Sequence, residues 1–318
     1  MFQLEWVLNC FFNMNLDFFK KVRILDGGMG QELLSRGLVS YGSLWSASAL
    51  IDEKNHNLVV DTHSAFIEAG ADVIVTNTFS SRKVRLEENK VLQMFDYANK
   101  KAGELATKAR DNSKKDILIA GGLPPQNGTY VVDNRDRKII EQSFDDQAKL
   151  IDPYIDFFYL DVFSSSWEIE LALNVVERLN KPVLVGFHLK KDGKLPSNET
   201  VSEIVKNYKS NNWLGLIASC VSLEIIENNI YEFKKLGLPF GFKANLWGKE
   251  EPLPVSTFNK SKPDEIGQNP NISLGSRKEV TGEVFHDFAK KLKDKGATIL
   301  GGCCETNTLH ISAISKLK

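Results

Sequence analysis

The chain has 318 residues, of which 42% are hydrophobic and 25% charged, an ordinary globular mix that supplies a sizeable core and excludes general disorder. Forty basic side chains face forty-one acidic ones, with no block of like charge long enough to follow a phosphate backbone, so nucleic acid is excluded as a partner. Four cysteines, Cys10, Cys220, Cys303 and Cys304, are too few and too unevenly spaced for a disulfide framework and point to reduced thiols in a cytoplasm.

In chain order, Met1–Phe19 comes first. It is rich in Phe and Leu, yet it carries Glu5 and Asp17 and lacks both a basic leader and a small-residue cleavage site, so neither a signal peptide nor a membrane span is expected. The segment reads as an extension, poorly ordered or untranslated if synthesis starts at Met14, and the domain proper as residues 20–318. From there, short apolar runs alternate with stretches of helical period. Strands are expected at Val22–Leu25, Asp72–Thr76, Ile117–Ala120, Phe157–Asp161, Val183–Phe187, Leu214–Ser219, Gly241–Asn245 and Thr298–Gly301. Helices are expected at Asn55–Ala69, Leu86–Arg110, Gln142–Leu150, Glu168–Leu179, Val201–Tyr208, Leu223–Lys235 and Glu283–Lys293, several stopped by glycine at Gly70, Gly237 and Gly296. Eight such alternations predict an α/β fold, a (β/α)8 TIM barrel, although an open doubly wound sheet shares the periodicity. One link, about residues 246–279, carries Pro252, Pro254, Pro263 and Pro270 and is too long for a plain connection, so it is expected to form a lid near the mouth.

In a barrel the strand ends share one rim, and chemistry gathers there. Asp26-Gly27-Gly28 follows the first strand, Asn77-Thr78-Phe79 the second, Asp161 ends the fourth, His188 follows the fifth, Cys220 ends the sixth, and Cys303-Cys304 follows the eighth. Neighbouring strand residues point to opposite faces, so vicinal thiols meet one partner only where the backbone leaves strand geometry. Gly301 and Gly302 are read as giving that freedom. Three sulfurs at one rim predict a zinc site on Cys220, Cys303 and Cys304, with a fourth position open. Asp26 either binds a substrate ammonium group or caps the next helix, Gly27 brings backbone N–H groups close to a ligand, and Asp161 is a carboxylate within the rim or a strand-end cap. His188 and His63 are read as structural.

Three thiolates around a divalent cation make a poor Lewis acid for a carbonyl but a good seat for a fourth sulfur. A coordinated substrate thiol would lose its proton and become a nucleophile towards a soft electrophile, such as a methyl group on a sulfur or nitrogen cation. A hydrolase using zinc-bound water, or a thiol- or metal-binding protein without turnover, are the competing readings. The former usually recruits His ligands, and no His-x-His pair occurs.

The run Ile24-Leu25-Asp26-Gly27-Gly28-Met29-Gly30, then Leu44-Trp45-Ser46, then His63 with Ala69–Phe79, and finally Gly301-Gly302-Cys303-Cys304, resembles the homocysteine S-methyltransferases from about Val22 to the C-terminus. The resemblance implies a barrel with zinc on three cysteines and methyl transfer from a small sulfonium or quaternary ammonium donor to homocysteine, giving methionine. By position it implies substrate contacts at Asp26, Gly27, Thr78 and Asp161. Asp161 stands where the family often has glutamate, and Ser219 where asparagine is common. The partners implied are small molecules, with no membrane; the sequence leaves the oligomeric state open.

Overall fold

Strands buried on both faces read as unbroken apolar runs, and those runs became the staves of a closed barrel. The computed structural model describes residues 15–252, 254 and 261–318. Its strands are β1 (Arg23–Ile24), β2 (Val73–Val75), β3 (Leu118–Leu123), β4 (Phe157–Phe163), β5 (Val183–Phe187), β6 (Trp213–Val221), β7 (Phe240–Ala244) and β8 (Ile299–Gly302). All neighbours are parallel, in the order β1-β8-β7-β6-β5-β4-β3-β2, and a bridge from Leu25 to Val73 joins the two ends. That bridge excludes the open doubly wound sheet.

Alternation along each strand builds two separate cores. Val73, Phe157, Tyr159, Leu184, Leu214 and Ile299 fill the inside of the barrel, while Ile74, Phe158, Leu160, Val183, Val185 and Leu300 face the helices. Phe19 seals the inner core from below: it is fully buried and meets Phe157 edge-on at 5.8 Å. A boundary drawn after Phe19 therefore cuts a 3-10 turn, Phe18–Lys20, that belongs to the barrel floor. Residues 1–14, including Cys10 and Met14, lie outside the described residues.

Most expected helices form within a few residues of their expected bounds, among them His56–Glu68, Ser166–Arg178, Val201–Tyr208 and Leu223–Lys234. Gly70, Gly237 and Gly296 follow helix ends with φ of 102°, 69° and 106°, the left-handed stop that glycine adopts without penalty. One helix was misread. Leu86–Arg110 is two helices, Lys83–Glu88 and Phe95–Ser113, separated by a break at Asn89-Lys90. The buried Asn89 carboxamide accepts from the Ser43 N–H (3.0 Å) and donates to Ser43 Oγ (2.8 Å) and the Arg85 carbonyl (2.7 Å), and Lys90 turns to φ 57°. A tertiary partner outweighed helical period.

Among the described residues, no helix is long and apolar enough to cross a membrane. The described parts of the 246–279 link lie against the mouth. The Leu246 N–H donates to the Cys304 carbonyl (2.9 Å), the Arg277 N–H to the Leu246 carbonyl (2.9 Å), and the Gly267 N–H to the Ser40 carbonyl (2.8 Å). Residues 253 and 255–260 lie outside the described set.

Candidate functional site

Two strands break register at the rim. The β4–β5 pairing shifts between Leu160 and Phe163, and the β6–β7 pairing between Ser219 and Val221. Within those bulges Val162 has φ 67° and Cys220 φ 52°. A non-glycine residue in this region costs on the order of 1 kcal/mol or more, and such strain clusters at functional sites. The bulge holds Cys220 buried in the pocket wall, while its carbonyl accepts from Asn245 Nδ2 at 2.6 Å.

Cys303 and Cys304 arrive from the other side, by a different device from the one expected. Gly301 and Gly302 are paired with Lys243 and Ala244 inside β8, and neither has a positive φ. They make room instead: a Cβ on Gly301 would lie 2.8 Å from Leu25 Cβ, and one on Gly302 would collide with the Thr306 hydroxyl. The backbone leaves strand geometry just beyond them, where Thr306 closes a turn with its N–H (3.1 Å) and hydroxyl (2.6 Å) on the Cys303 carbonyl. Gly28 fits against that turn; a Cβ there would stand 2.5 Å from the Cys303 oxygen.

The result is a cluster of three sulfurs, all within 4.8 Å of one another, with Cys220–Cys304 at 3.7 Å and Cys303–Cys304 at 3.9 Å. Thiolates about 2.3 Å from one tetrahedral ion stand about 3.8 Å apart, so the spacing fits a shared divalent metal without rearrangement. Burial resists ionisation of Cys220, but hydrogen bonds from Cys303, Cys304 and Tyr130 outweigh it and push that thiol well below its usual range. Cys303 and Cys304, sharing hydrogen bonds with Cys220, are pushed up. Three thiolates this close repel one another unless a cation sits among them, which is the condition a metal satisfies.

Around the sulfurs, one pocket is lined by Asp26, Gly27, Asp161 and all three cysteines, so six of the seven expected site residues meet. Thr78 does not line it. Its side chain is fully buried and its hydroxyl donates to the Gly122 carbonyl (2.6 Å) and meets Thr76 Oγ1 (2.9 Å), so it braces β2 against β3. Its neighbours Thr76 and Asn77 do line the pocket. Asp26 caps no helix: Val75 N–H donates to its Oδ2 (2.8 Å), and Lys243 Nζ pairs with Oδ1 (2.5 Å). Asp161 accepts from Ser219 Oγ at 2.7 Å. Burial and then the Cys303 charge raise its pKa to about 6, against the opposing pull of Lys243 and the Ser219 hydrogen bond.

Lys243 was missed from the sequence. It lies in β7 within an apolar run and is 4% exposed. Burial works against its charge, but Asp26, Asp161 and Cys303 overcome that and hold its pKa above the usual lysine value. Tyr130 was missed too: its hydroxyl stands 3.0 Å from Cys220 Sγ, and its ring lies 4.5 Å from His188. His188 is buried behind it, its pKa lowered by burial to about 4, and does not line the pocket. His63 is fully buried in mid-helix with neither ring nitrogen partnered, and burial keeps it neutral with a pKa of about 4. Trp45, Phe79 and Trp247 complete an aromatic rim, with Trp247 Nε1 donating to the Tyr130 hydroxyl at 3.4 Å.

The site can therefore do three things: hold a soft metal on sulfur, offer a carboxylate and an ammonium to a zwitterion, and present aromatic faces to a cationic group. Comparison with known proteins agrees. The family model for homocysteine S-methyltransferase matches residues 23–317. The chain is similar to homocysteine S-methyltransferase 1 of Arabidopsis thaliana, 27% identical over 92% of each chain. It is also similar to betaine–homocysteine S-methyltransferase 1 of Bos taurus, 27% identical over 93% of this chain and 72% of that protein. In fold it matches the crystal structure of the homocysteine methyltransferase MmuM from Escherichia coli, metallated form, with a TM-score of 0.73 at 18% identity over 94% of this chain and 96% of that one. The chain belongs to the homocysteine S-methyltransferase family and is an enzyme of that kind.

Proposed function

We propose that this homocysteine S-methyltransferase is zinc-dependent, that Cys220, Cys303 and Cys304 hold the ion, and that a small sulfonium or quaternary ammonium compound gives the methyl group. The observation that carries the reading is the sulfur spacing, 3.7 and 3.9 Å, in a pocket that also bears Asp161, Asp26 and Lys243. An all-sulfur donor set selects zinc over harder cations, and the structural relative named above is described as metallated. Bound there, zinc would lower the pKa of a coordinated thiol and so supply homocysteine as a thiolate at neutral pH.

The chain's own residues bind and orient. Asp161 is the free carboxylate for the ammonium group of homocysteine, because Asp26 is already occupied by Lys243. Lys243 keeps its Asp26 partner and adds only a longer-range attraction for the substrate carboxylate from the same wall, while the close-packed Gly27-Gly28 turn lets the amino acid approach the backbone. Trp45, Phe79, Tyr130 and Trp247 favour a positively charged methyl carrier over water. In the transfer, the homocysteine sulfur forms a new S–C bond while the donor's C–S or C–N bond breaks, and the electron pair leaves with the neutral sulfide or amine. Alignment supplies most of the acceleration, and no protein base is required once the thiol is ionised. Three free thiols at the centre serve as ligands only while reduced, which supports a reducing compartment such as the cytoplasm.

The test is a screen of methylated donors with homocysteine, read by mass spectrometry for methionine, alongside metal analysis. One zinc per chain and methionine from at least one sulfonium or ammonium donor are expected, with both lost on chelation. Zinc binding without turnover of any donor would favour a thiol-binding protein, and hydrolytic activity would favour the hydrolase.

A further inference from the structure

A tyrosine and a serine interrupt the apolar interior of the barrel, and both lead to the pocket. Tyr159 in β4 is fully buried among Phe157, Leu184 and Leu214, and Ser219 in β6 is fully buried beside it. Asp161, two residues beyond Tyr159, shares its inner face and lines the pocket. The Ser219 hydroxyl donates to Asp161 Oδ1 at 2.7 Å, and the Tyr159 hydroxyl meets Ser219 Oγ in turn. At neutral pH an ionised carboxylate can only accept, so the Ser219 proton goes to Asp161 and the Tyr159 proton to Ser219. The hydrogen bonds therefore run one way, from phenol to serine to carboxylate. Gly186 in β5 makes the room: a Cβ there would stand 2.9 Å from Ser219 Cβ, 2.9 Å from Tyr159 Cε2 and 2.7 Å from the Leu160 carbonyl oxygen. Three strands thus accommodate a buried polar pair, although replacing both members of such a pair by apolar side chains is commonly neutral or stabilising.

The chain of hydroxyls ends on a carboxylate with no cation in contact: among the described residues Lys243 pairs with Asp26 and not with Asp161. Burial and the Cys303 charge oppose ionisation of Asp161, and Lys243 at longer range, with the Ser219 and Tyr159 hydroxyls, pulls the other way. Burial and the Asp161 charge in turn keep Tyr159 protonated, as a donor must be. Hydroxyl donors steady an anion without neutralising it, whereas a protein cation in contact would use up its attraction for a ligand. We propose that Ser219 and Tyr159 are positioning residues for the thiol acceptor: they hold Asp161 ready for the α-ammonium group, and so set the preference for an amino acid thiol over the same thiol without its amino group. The proposal rests on the assignment of that ammonium group to Asp161 made above.

The decisive measurement is calorimetric binding to the zinc-loaded full-length protein of two thiols that differ only in the amino group, homocysteine and 4-mercaptobutyrate. The wild type is expected to favour homocysteine by about thirtyfold, and Asp161→Asn should erase most of that preference. Ser219→Ala should cut it about tenfold and Tyr159→Phe about threefold, while the affinity for 4-mercaptobutyrate stays within about twofold and each variant keeps its zinc. In the Asp161→Asn background neither substitution should change the preference further, because residues that act through one group are not additive. A packing role would instead weaken both thiols together. If Ser219→Ala loses zinc or fold, as judged by metal analysis and circular dichroism, Tyr159→Phe, which removes a single oxygen, carries the test. The proposal is overturned if the preference survives in the variants, if both thiols weaken in parallel, or if the substitutions still act in the Asp161→Asn background. A preference that survives Asp161→Asn sinks the ammonium assignment and the proposal with it, whereas one lost in Asp161→Asn but kept in Ser219→Ala and Tyr159→Phe sinks the proposal alone.

Discussion

The floor and the mouth of this barrel are made by the same eight strands and obey opposite rules. At the floor, Phe19, Phe157, Leu184 and Leu214 are buried without a polar atom among their side chains. At the mouth, strands bulge, Val162 and Cys220 take left-handed φ, and a lysine is buried against an aspartate. The floor buries apolar side chains, whereas the mouth carries strained backbone and buried charge around the pocket. Stability and chemistry are thus assigned to opposite ends of each strand, the division of labour expected of such barrels.

Mutations can break that contrast or sharpen it. Cys304→Ala should abolish methionine formation and the stoichiometric metal, yet leave a cooperative thermal transition; metal analysis and calorimetry on one sample decide this. Phe157→Ala, at the floor, should do the reverse, lowering stability by about 3–5 kcal/mol in urea denaturation with little change in the KM for homocysteine. Asp161→Asn is expected to raise that KM by roughly thirtyfold with unchanged melting, the cost of losing one partner of a buried charge pair. Because Asp161 ionises near pH 6 in the free protein, homocysteine affinity of the wild type should fall as pH drops below 6, and the Asn variant should show no such slope.

The smallest effect concerns Glu168, buried under the rim outside the pocket, with its Oε2 accepting from Ser165 Oγ. Burial raises its pKa from 4.5 to about 7, so the folded state holds this proton where the unfolded state has released it. Stability should therefore decline as pH rises from about 4.5 to 7 and then level off. Glu168→Gln should remove that decline and gain on the order of 1–2 kcal/mol at pH 8 but not at pH 4, which denaturant titrations at the two pH values would resolve.

The fold was legible because most strands are apolar on both faces along most of their length, so β2, β5 and the first parts of β4 and β6 read as apolar runs. Cys220, Cys303 and Cys304 were legible because soft ligands at strand ends have few other uses. What stayed hidden depended on partners remote in sequence. Asn89 ends a helix by bonding to Ser43, and Thr78 is held away from the pocket by Gly122 of the next strand. Lys243 sits where a strand reads as core, and its ion-pair partner Asp26 lies 217 residues earlier. The glycine pair before Cys303 was correctly singled out for the wrong reason, since an absence of side chain in sequence does not say whether torsional freedom or space is being used.

The hydrogen bond from the Leu246 N–H to the Cys304 carbonyl gives the molecule a built-in reporter. Because the Leu246 carbonyl is in turn held by the Arg277 N–H, the sulfur turn and the outer edge of the mouth are stitched into one seam. Deuterium uptake at that single amide would register loosening of the turn from outside, with no dye or substrate added.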